Sequence, residues 1–243
     1  MISSVDNPRV KDLVRLRKAR ERRRSGLFIA EGPREVERAR VAGLTIVATY
    51  FAPSLLAWAE GEEVSERVLA KMAYRAEPEG VIAVVEVPHR ELPTNGSLYV
   101  VAVGIEKPGN LGAMARTADA AGADALVVAE AQADPWNPNA IRASSGAVFS
   151  LPVVEATLDE IRALPTRLLA AMPDAPTAYT EVDLTARTTL AIGAENVGLP
   201  DAWIEAADFS VSIPLRAATT DSLNAATAAA IILFEARRQR DHA

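Results

Sequence analysis

The chain has 243 residues, 49% of them apolar and 24% charged, with a formal net charge of −6, enough apolar material for one large or two modest buried cores. It has no cysteine, which excludes thiolate catalysis, disulfides and cysteine-based zinc sites. Its two histidines, His89 and His242, leave little basis for a histidine-centred triad or a multi-histidine centre, so no metal site is expected.

In chain order, Asn7-Pro8 reads as a helix cap with proline in the first turn, opening a basic helix that runs on toward Arg24. Residues 1–24 carry nine Lys and Arg against three acids, a net +6, so the other 219 residues carry −12. Such a cluster is either a solvated, salt-bridged helix or a footprint for phosphate backbones. LFIAEG then reads as a strand, Pro33 starts a helix to about Ala42, and TIVATYF reads as a second strand. A helix near 53–59, a mixed helical pattern over 64–74 and the strand VIAVVEV complete a small α/β unit, residues 1–88. HRELPTNGS, residues 89–97, has proline, asparagine, glycine and serine without periodicity, as linkers do.

The second domain, residues 98–243, holds five apolar strand-length runs: LYVVAVG, ALVVA, RLLAAM, TLAIG and FSVSI. Helix-like stretches separate them, which is the pattern of a parallel α/β sheet buried on both faces. Ligands of open sheets lie beyond the carboxyl ends of the strands, so GIEKPGNLG, MPDA, GAENVGLP and IPLRAATTDSLN are the loops of interest. Gly104 and Gly109 have phosphate-loop spacing, but Asn110 stands where the lysine of such loops is needed, and no loop has G-x-G-x-x-G. A nucleotide hydrolase and a dinucleotide-dependent dehydrogenase are both disfavoured. Asn110 suits the amino-terminal cap of the next helix, whose Leu111, Met114, Ala115 and Ala118 form an apolar stripe that leaves Arg116 outside it. Taken singly, Asn110 reads as an ordinary cap and Arg116 as a surface ion pair with Asp119. In GAENVGLP, Gly193 and Gly198 suit close backbone approach, with Glu195 and Asn196 between them.

In this order, GNLGAMARTADAAGADAL, IRASSGAVFSLPV, TLAIGAENVGLP and SVSIPLRAATTDSLNAATAAAIILFEA resemble the motifs of the SpoU-type RNA ribose 2′-O-methyltransferases of the SPOUT superfamily. The amino-terminal NPRVKDLVRLRKARERRRSGLFIAEGPREVERA resembles, more loosely, the ribosomal-protein-like RNA-binding domain that several members carry. The resemblance implies a trefoil-knotted parallel-sheet α/β methyltransferase domain, preceded by a smaller α/β RNA-binding domain. It further implies S-adenosylmethionine as cofactor, a homodimer formed through the carboxyl-terminal domain, and methyl transfer to a ribose 2′-hydroxyl of structured RNA, with ribosomal RNA favoured over transfer RNA. A catalytically silent RNA-binding member of the same fold is the alternative from another class.

Carried onto matching positions, the family pattern gives Asn110, Arg116, Glu195, Ser222 and Asn224 as catalytic candidates. Arg116 is either the general base or a charged donor to the developing alkoxide, oriented by Asn110, while Ser222 and Asn224 fix the target nucleotide. Met172, Gly193, Ile213, Pro214 and Leu223 are candidates for holding the cofactor through backbone groups and apolar contact. Arg9, Lys11, Arg15 and Arg20 of the basic segment, and Arg142 of IRASSGA, are the candidate RNA contacts. The stretch between Ile213 and Ser222 departs from the family by about one additional residue. The opening MISSVDNPRVKDL lacks the apolar core of a secretory signal, and AATAAAIILF is roughly half the ~20 residues of a bilayer span, so a cytoplasmic protein without membrane association is expected.

Overall fold

The computed structural model describes residues 1–58, 60–216 and 221–243. Helix α1 (Pro8–Arg15) starts as expected, with Pro8 in the first turn and the Asn7 side chain accepting from the Arg9 amide at 2.9 Å. The basic segment is not one helix, however. The chain turns at Leu16–Lys18 and restarts as α2 (Ala19–Ser25). Leu16 and Arg22 are both buried, and on a straight helix residues six apart would point about 120° away from each other. The break lets both turn inward.

Strands β1 (Leu27–Glu31), β2 (Ile46–Phe51), β3 (Glu62–Glu63) and β4 (Val81–Glu86) form a sheet of order β1-β4-β2-β3, with helices α3 (Pro33–Val41) and α4 (Glu66–Met72) between strands. β4 is antiparallel to β1 and β2, while the two-residue β3 is parallel to β2. Side-chain alternation divides this sheet between two cores. Ile29, Ile82 and Val84 face Val10 and Leu13 of α1 and Val68 and Leu69 of α4, whereas Phe28, Ala30, Val81 and Val85 join the core of the rest of the chain. Residues 53–55 form a turn and 56–58 are irregular rather than the expected helix, because the Leu55 and Leu56 amides both close on the Ala52 carbonyl and no second turn follows. Ala59, the last residue of that expected helix, lies outside the described residues.

The second sheet is parallel and seven-stranded, in the order β7-β6-β5-β10-β8-β11-β9. It begins with β5 (Leu98–Val103), α5 (Pro108–Ala121), β6 (Ala125–Ala129), α6 (Pro138–Ser144), α7 (Ala147–Ser150) and β7 (Val153–Glu155). It continues through α8 (Leu158–Arg162), β8 (Arg167–Ala171), β9 (Thr177–Ala178), β10 (Thr188–Ile192), α9 (Asp201–Ala206), β11 (Phe209–Ser212) and α10 (Ala225–Arg240). The five expected strands are present; β7 and β9, three and two residues long, are too short to show a pattern. Both faces are covered: Leu98, Val100 and Ala102 of β5 face Leu111, Met114 and Leu233, and Tyr99, Val101 and Val103 face Ile161 and Trp203.

The segment between the sheets has neither helix nor strand, yet it is held down. Arg90 donates to the carbonyls of Phe149, Ser150 and Leu151, and the Gly96 carbonyl accepts from Arg187 at 2.7 Å. The two sheets also share one core. Phe28 of β1 stacks on Trp136 and Phe149 with ring centroids 4.9 and 5.7 Å away. Arg22 of α2 reaches Asp134 at 2.6 Å with its side chain only 2% exposed. Among the described residues no helix is long and apolar enough to cross a membrane.

Candidate active site

The sheet order puts the site where it is. β10 lies between β5 and β8, and β11 flanks β8, so the chain leaves the central strands and returns between them. Ile192 pairs with Ala102 and Ala171, and Val211 pairs with Ala171. The residues that follow, Met172, Gly193, Ser212 and Ile213, therefore emerge together along the carboxyl edge of the sheet, the usual location of ligands in such folds.

A cavity of about 280 Å³ opens there. Met172 and Pro173 line it after β8, Gly193 to Asn196 after β10, and Ile213 and Leu215 after β11, with Ser222 and Leu223 at the mouth of α10. Ala225, Ala228 and Ile232 of α10 supply the remaining wall. Of the residues expected to hold a cofactor, Met172, Gly193, Ile213 and Leu223 line this cavity, and Pro214 does not. The proline follows Ile213 at the exit of β11, where the lining passes from Ile213 to Leu215. Residues 217–220, part of the stretch between Ile213 and Ser222 in which one additional residue was expected, lie outside the described residues.

Gly193 is required by space rather than by conformation. A Cβ built on it would lie 2.2 Å from the Gly198 carbonyl carbon and 2.4 Å from the Leu199 nitrogen. The loop folds back on itself there: the Gly198 amide donates to the Ala194 carbonyl at 2.9 Å, and Gly198 takes φ +71. This closure turns Glu195 toward the start of α5.

Glu195 is the hub of a polar cluster at the rim. Lys107 Nζ donates to its Oε2 at 2.5 Å, Asn110 Nδ2 donates to its Oε1 at 2.9 Å, and Asn224 Nδ2 donates to the same Oε1. Asn224 Nδ2 also reaches Asn110 Oδ1 at 3.1 Å. The lysine hydrogen bond, with those of the two asparagines and against the desolvation of the carboxyl, holds Glu195 below the usual carboxylate range. The same contact raises Lys107 above the ordinary lysine value. Three expected catalytic residues, Asn110, Glu195 and Asn224, are thus joined directly, from positions far apart in sequence. Lys107 was missed; the available signal was its place just before Pro108, at the cap of a helix opening beyond a strand end.

Two expectations need correction. Asn110 is not the amino-terminal cap of α5: Pro108 occupies the first helical position and Lys107 the cap, which leaves Asn110 in the first turn with its side chain free to cross to Glu195. The residue that does cap a helix is Asn224, whose Oδ1 accepts from the amides of Ala226 and Thr227 at 3.0 and 3.3 Å. Asn110 is bonded to Glu195 and Asn224, makes no hydrogen bond to Arg116 among the described residues, and Arg116 does not line the cavity of its own chain. The stripe of Leu111, Met114, Ala115 and Ala118 is buried as expected, which turns Arg116 outward. It lines a separate groove with Arg34, Arg38 and Asp119, and among the described residues it forms no ion pair with Asp119.

The basic candidates are all exposed. Arg9 pairs with Glu62 at 2.5 Å, Lys11 with Asp6 at 3.0 Å and Arg15 with Asp12 at 3.1 Å, whereas Arg20 has no ion-pair partner among the described residues. Arg142 lines a pocket whose other walls carry Glu31, Glu35 and Arg75.

Chemically, an aliphatic cavity with loop backbone at its edges suits a flat heterocycle, and the rim, where the Glu195 carboxylate is paired with the Lys107 ammonium, presents polar groups of both signs. Residues 7–83 match the MRM3-like substrate binding domain. The chain is 30% identical over 246 residues to the 23S rRNA (guanosine(2553)-2′-O)-methyltransferase RlmP of Bacillus subtilis, covering 97% of this chain and 98% of that protein. It superposes on the crystal structure of an RNA 2′-O ribose methyltransferase with TM-score 0.86 and 40% identity, covering 98% of each chain. The AdoMet-bound rRNA methyltransferase from Sinorhizobium meliloti superposes with TM-score 0.88 and 30% identity, over 98% of this chain and 97% of that one. Residues 97–234, more than half of the sequence, match the SpoU rRNA Methylase family, and the chain belongs to that family.

Proposed function

We propose that this protein transfers a methyl group from S-adenosylmethionine to a ribose 2′-hydroxyl of ribosomal RNA. The observation that carries this reading is the cavity at the aligned strand ends, closed by the Gly193–Gly198 loop and rimmed by Glu195, Lys107, Asn110 and Asn224. The cofactor fits on physical grounds. Ile213, Leu223, Ala228 and Ile232 offer apolar contact to adenine, and loop amides and carbonyls at Gly193 and Ile213 offer hydrogen bonds to its edge. When bound, S-adenosylmethionine supplies an electrophilic methyl group on a positively charged sulfur.

The chain's own residues then have three tasks. Met172, Gly193, Ile213 and Leu223 bind. Lys107, with Asn110 and Asn224, holds Glu195 anionic at the rim, and Ser222 offers a hydroxyl to the target nucleotide. Arg116 is a planar, charged hydrogen-bond donor; set against the 2′-oxygen as the hydroxyl proton passes to water, such a donor lowers the barrier by about 3 kcal/mol by comparison with oxyanion-hole groups. Because Arg116 lies outside the cavity of its own chain, the reading places it at the cavity of a second copy. A homodimer through residues 98–243 is consistent with Phe234, half exposed on α10. The trefoil knot belongs to the same reading, supported by β10 entering between β5 and β8.

Residues 1–88 form the RNA-capturing domain, 89–97 the connection and 98–243 the methyltransferase domain, and ribosomal RNA places the protein in the cytoplasm. Ribosomal rather than transfer RNA is favoured because RlmP, which matches nearly end to end, is named for 23S rRNA. The test is transfer of tritium from methyl-labelled S-adenosylmethionine to 23S rRNA, with mass-spectrometric mapping of the modified ribose. Arg116→Ala is expected to lower kcat at least a hundredfold with cofactor affinity intact; undiminished incorporation in that variant rejects the role of Arg116.

A further inference from the structure

Arg116 does not stand alone in its groove. The cleft, about 450 Å³, runs between α3 of the amino-terminal part and the α5–α7 face of the carboxyl-terminal part. Arg34 and Arg38, one helical turn apart on α3, face it together with Arg116, Ser145 and Phe149. Among the described residues none of these three guanidinium groups has a hydrogen-bond or ion-pair partner, and Asp119 is the only carboxylate in the lining. Arg40, on the same helix, is by contrast taken up by Glu37 at 3.4 Å and Glu60 at 2.7 Å. Three cations against one anion, left unneutralised, form a standing demand for negative charge.

The groove is also built. A Cβ on Gly146 would come within 2.9 Å of the Arg38 side chain at Cδ, and Gly146 and the preceding Ser145 both take positive φ, +82 and +52. The aliphatic stem of Arg38 therefore lies on bare backbone, which leaves its guanidinium free at the cleft. The neighbouring pocket that holds Arg142 contrasts with this: Arg142 and Arg75 there face Glu31 and Glu35, two charges of each sign. A polyanion gains in the first cleft and not in the second.

We propose that Arg34 and Arg38 extend the site of Arg116 into a phosphate track, in which consecutive phosphodiesters of the substrate RNA strand lie across both parts of the chain. This rests on the function proposed above and adds two positioning residues from outside the methyltransferase domain. Their work is electrostatic and sequence-independent, so they set where the strand lies rather than which base it carries.

The test uses the full-length protein and in vitro transcribed 23S rRNA, with binding read by filter retention across a salt series. Each lost single-strand phosphate contact lowers the slope of log affinity against log salt by about 0.7, and each lost duplex contact by about 0.9. Arg34→Gln/Arg38→Gln is expected to weaken binding at least tenfold at physiological salt and to lower that slope by about 1.4 to 1.8. KM for RNA should rise by a similar factor with kcat within twofold. Arg34→Lys/Arg38→Lys should restore the slope, and Arg40→Gln, already neutralised in the folded protein, should match wild type. Equal thermal melting and equal S-adenosylmethionine affinity by calorimetry establish that the variants are folded. An unchanged slope in the glutamine variant, an equal loss in Arg40→Gln, or a wild-type protein that does not retain 23S rRNA each overturns the proposal. A wild type that binds RNA through the track but transfers no methyl group would instead count against the function alone.

Discussion

Replacing Gly193 with alanine should damage the cavity far more than one methyl group suggests. The added Cβ would stand 2.2 and 2.3 Å from the carbonyl carbon and oxygen of Gly198 and 2.4 Å from the Leu199 nitrogen, all backbone atoms that cannot rotate away. Ordinary contact for a Cβ begins near 3.4 Å, so the 193–198 loop has to open by about 1 Å, and the Gly198-to-Ala194 hydrogen bond at 2.9 Å is in its path. Overpacking of this kind costs about 1–3 kcal/mol. Because the displaced backbone is itself cavity wall, much of that cost falls on ligand affinity, a weakening of roughly 5- to 150-fold. Calorimetric titration of S-adenosylmethionine into wild type and Gly193→Ala measures it. Gly109→Ala is the matched control, since a Cβ there meets nothing within 4 Å and Gly109 sits inside α5, where alanine is the better helix former. Affinity of Gly193→Ala within twofold of wild type would refute the reasoning, as would an equal loss in Gly109→Ala.

Two further outcomes follow from charged groups. Asp134→Ala leaves Arg22 buried and uncompensated and is expected to cost about 3–5 kcal/mol in urea unfolding, whereas Arg22→Met/Asp134→Leu should recover most of that loss; a single-variant cost below about 1 kcal/mol would show the pair to be water-screened. Glu195 is held below the usual carboxylate range, so its contribution to the rim is complete above the unfolded carboxyl's range and disappears as pH falls through its lowered folded value. Glu195→Gln should therefore flatten the acid limb of the pH profile for cofactor binding, and an unaltered acid limb would assign that limb to another group.

The sequence showed the strands of the parallel sheet because burial on both faces makes them continuous apolar runs, as in LYVVAV and ALVVA. It hid β3, β7 and β9, whose two or three residues carry no period and are fixed by their neighbours. The basic stretch read as one helix because nothing local marks Leu16–Lys18 as a turn; the break depends on Leu16 and Arg22 finding separate burial sites. Asn110 was placed by a capping rule that Pro108, two residues earlier, overrides. The cluster around Glu195 joins residues from positions 107 to 224, and such a junction is a property of sheet order rather than of any local pattern. The outward direction of Arg116 followed from the stripe it leaves, but its companions Arg34 and Arg38 come from the other sheet's helix, which no spacing along the chain could connect to it.

The aromatic stack of Phe28 on Trp136 and Phe149, with the Arg22–Asp134 pair beside it, welds the two halves of the chain into one body. On the proposed function, that weld turns the protein into a caliper. The span from the basic helices to the methyl-transfer cavity is set by packed side chains instead of a slack tether. An RNA is then selected by whether its anchor and its ribose stand at the matching distance, and loosening the weld should cost fidelity of positioning before it costs chemistry.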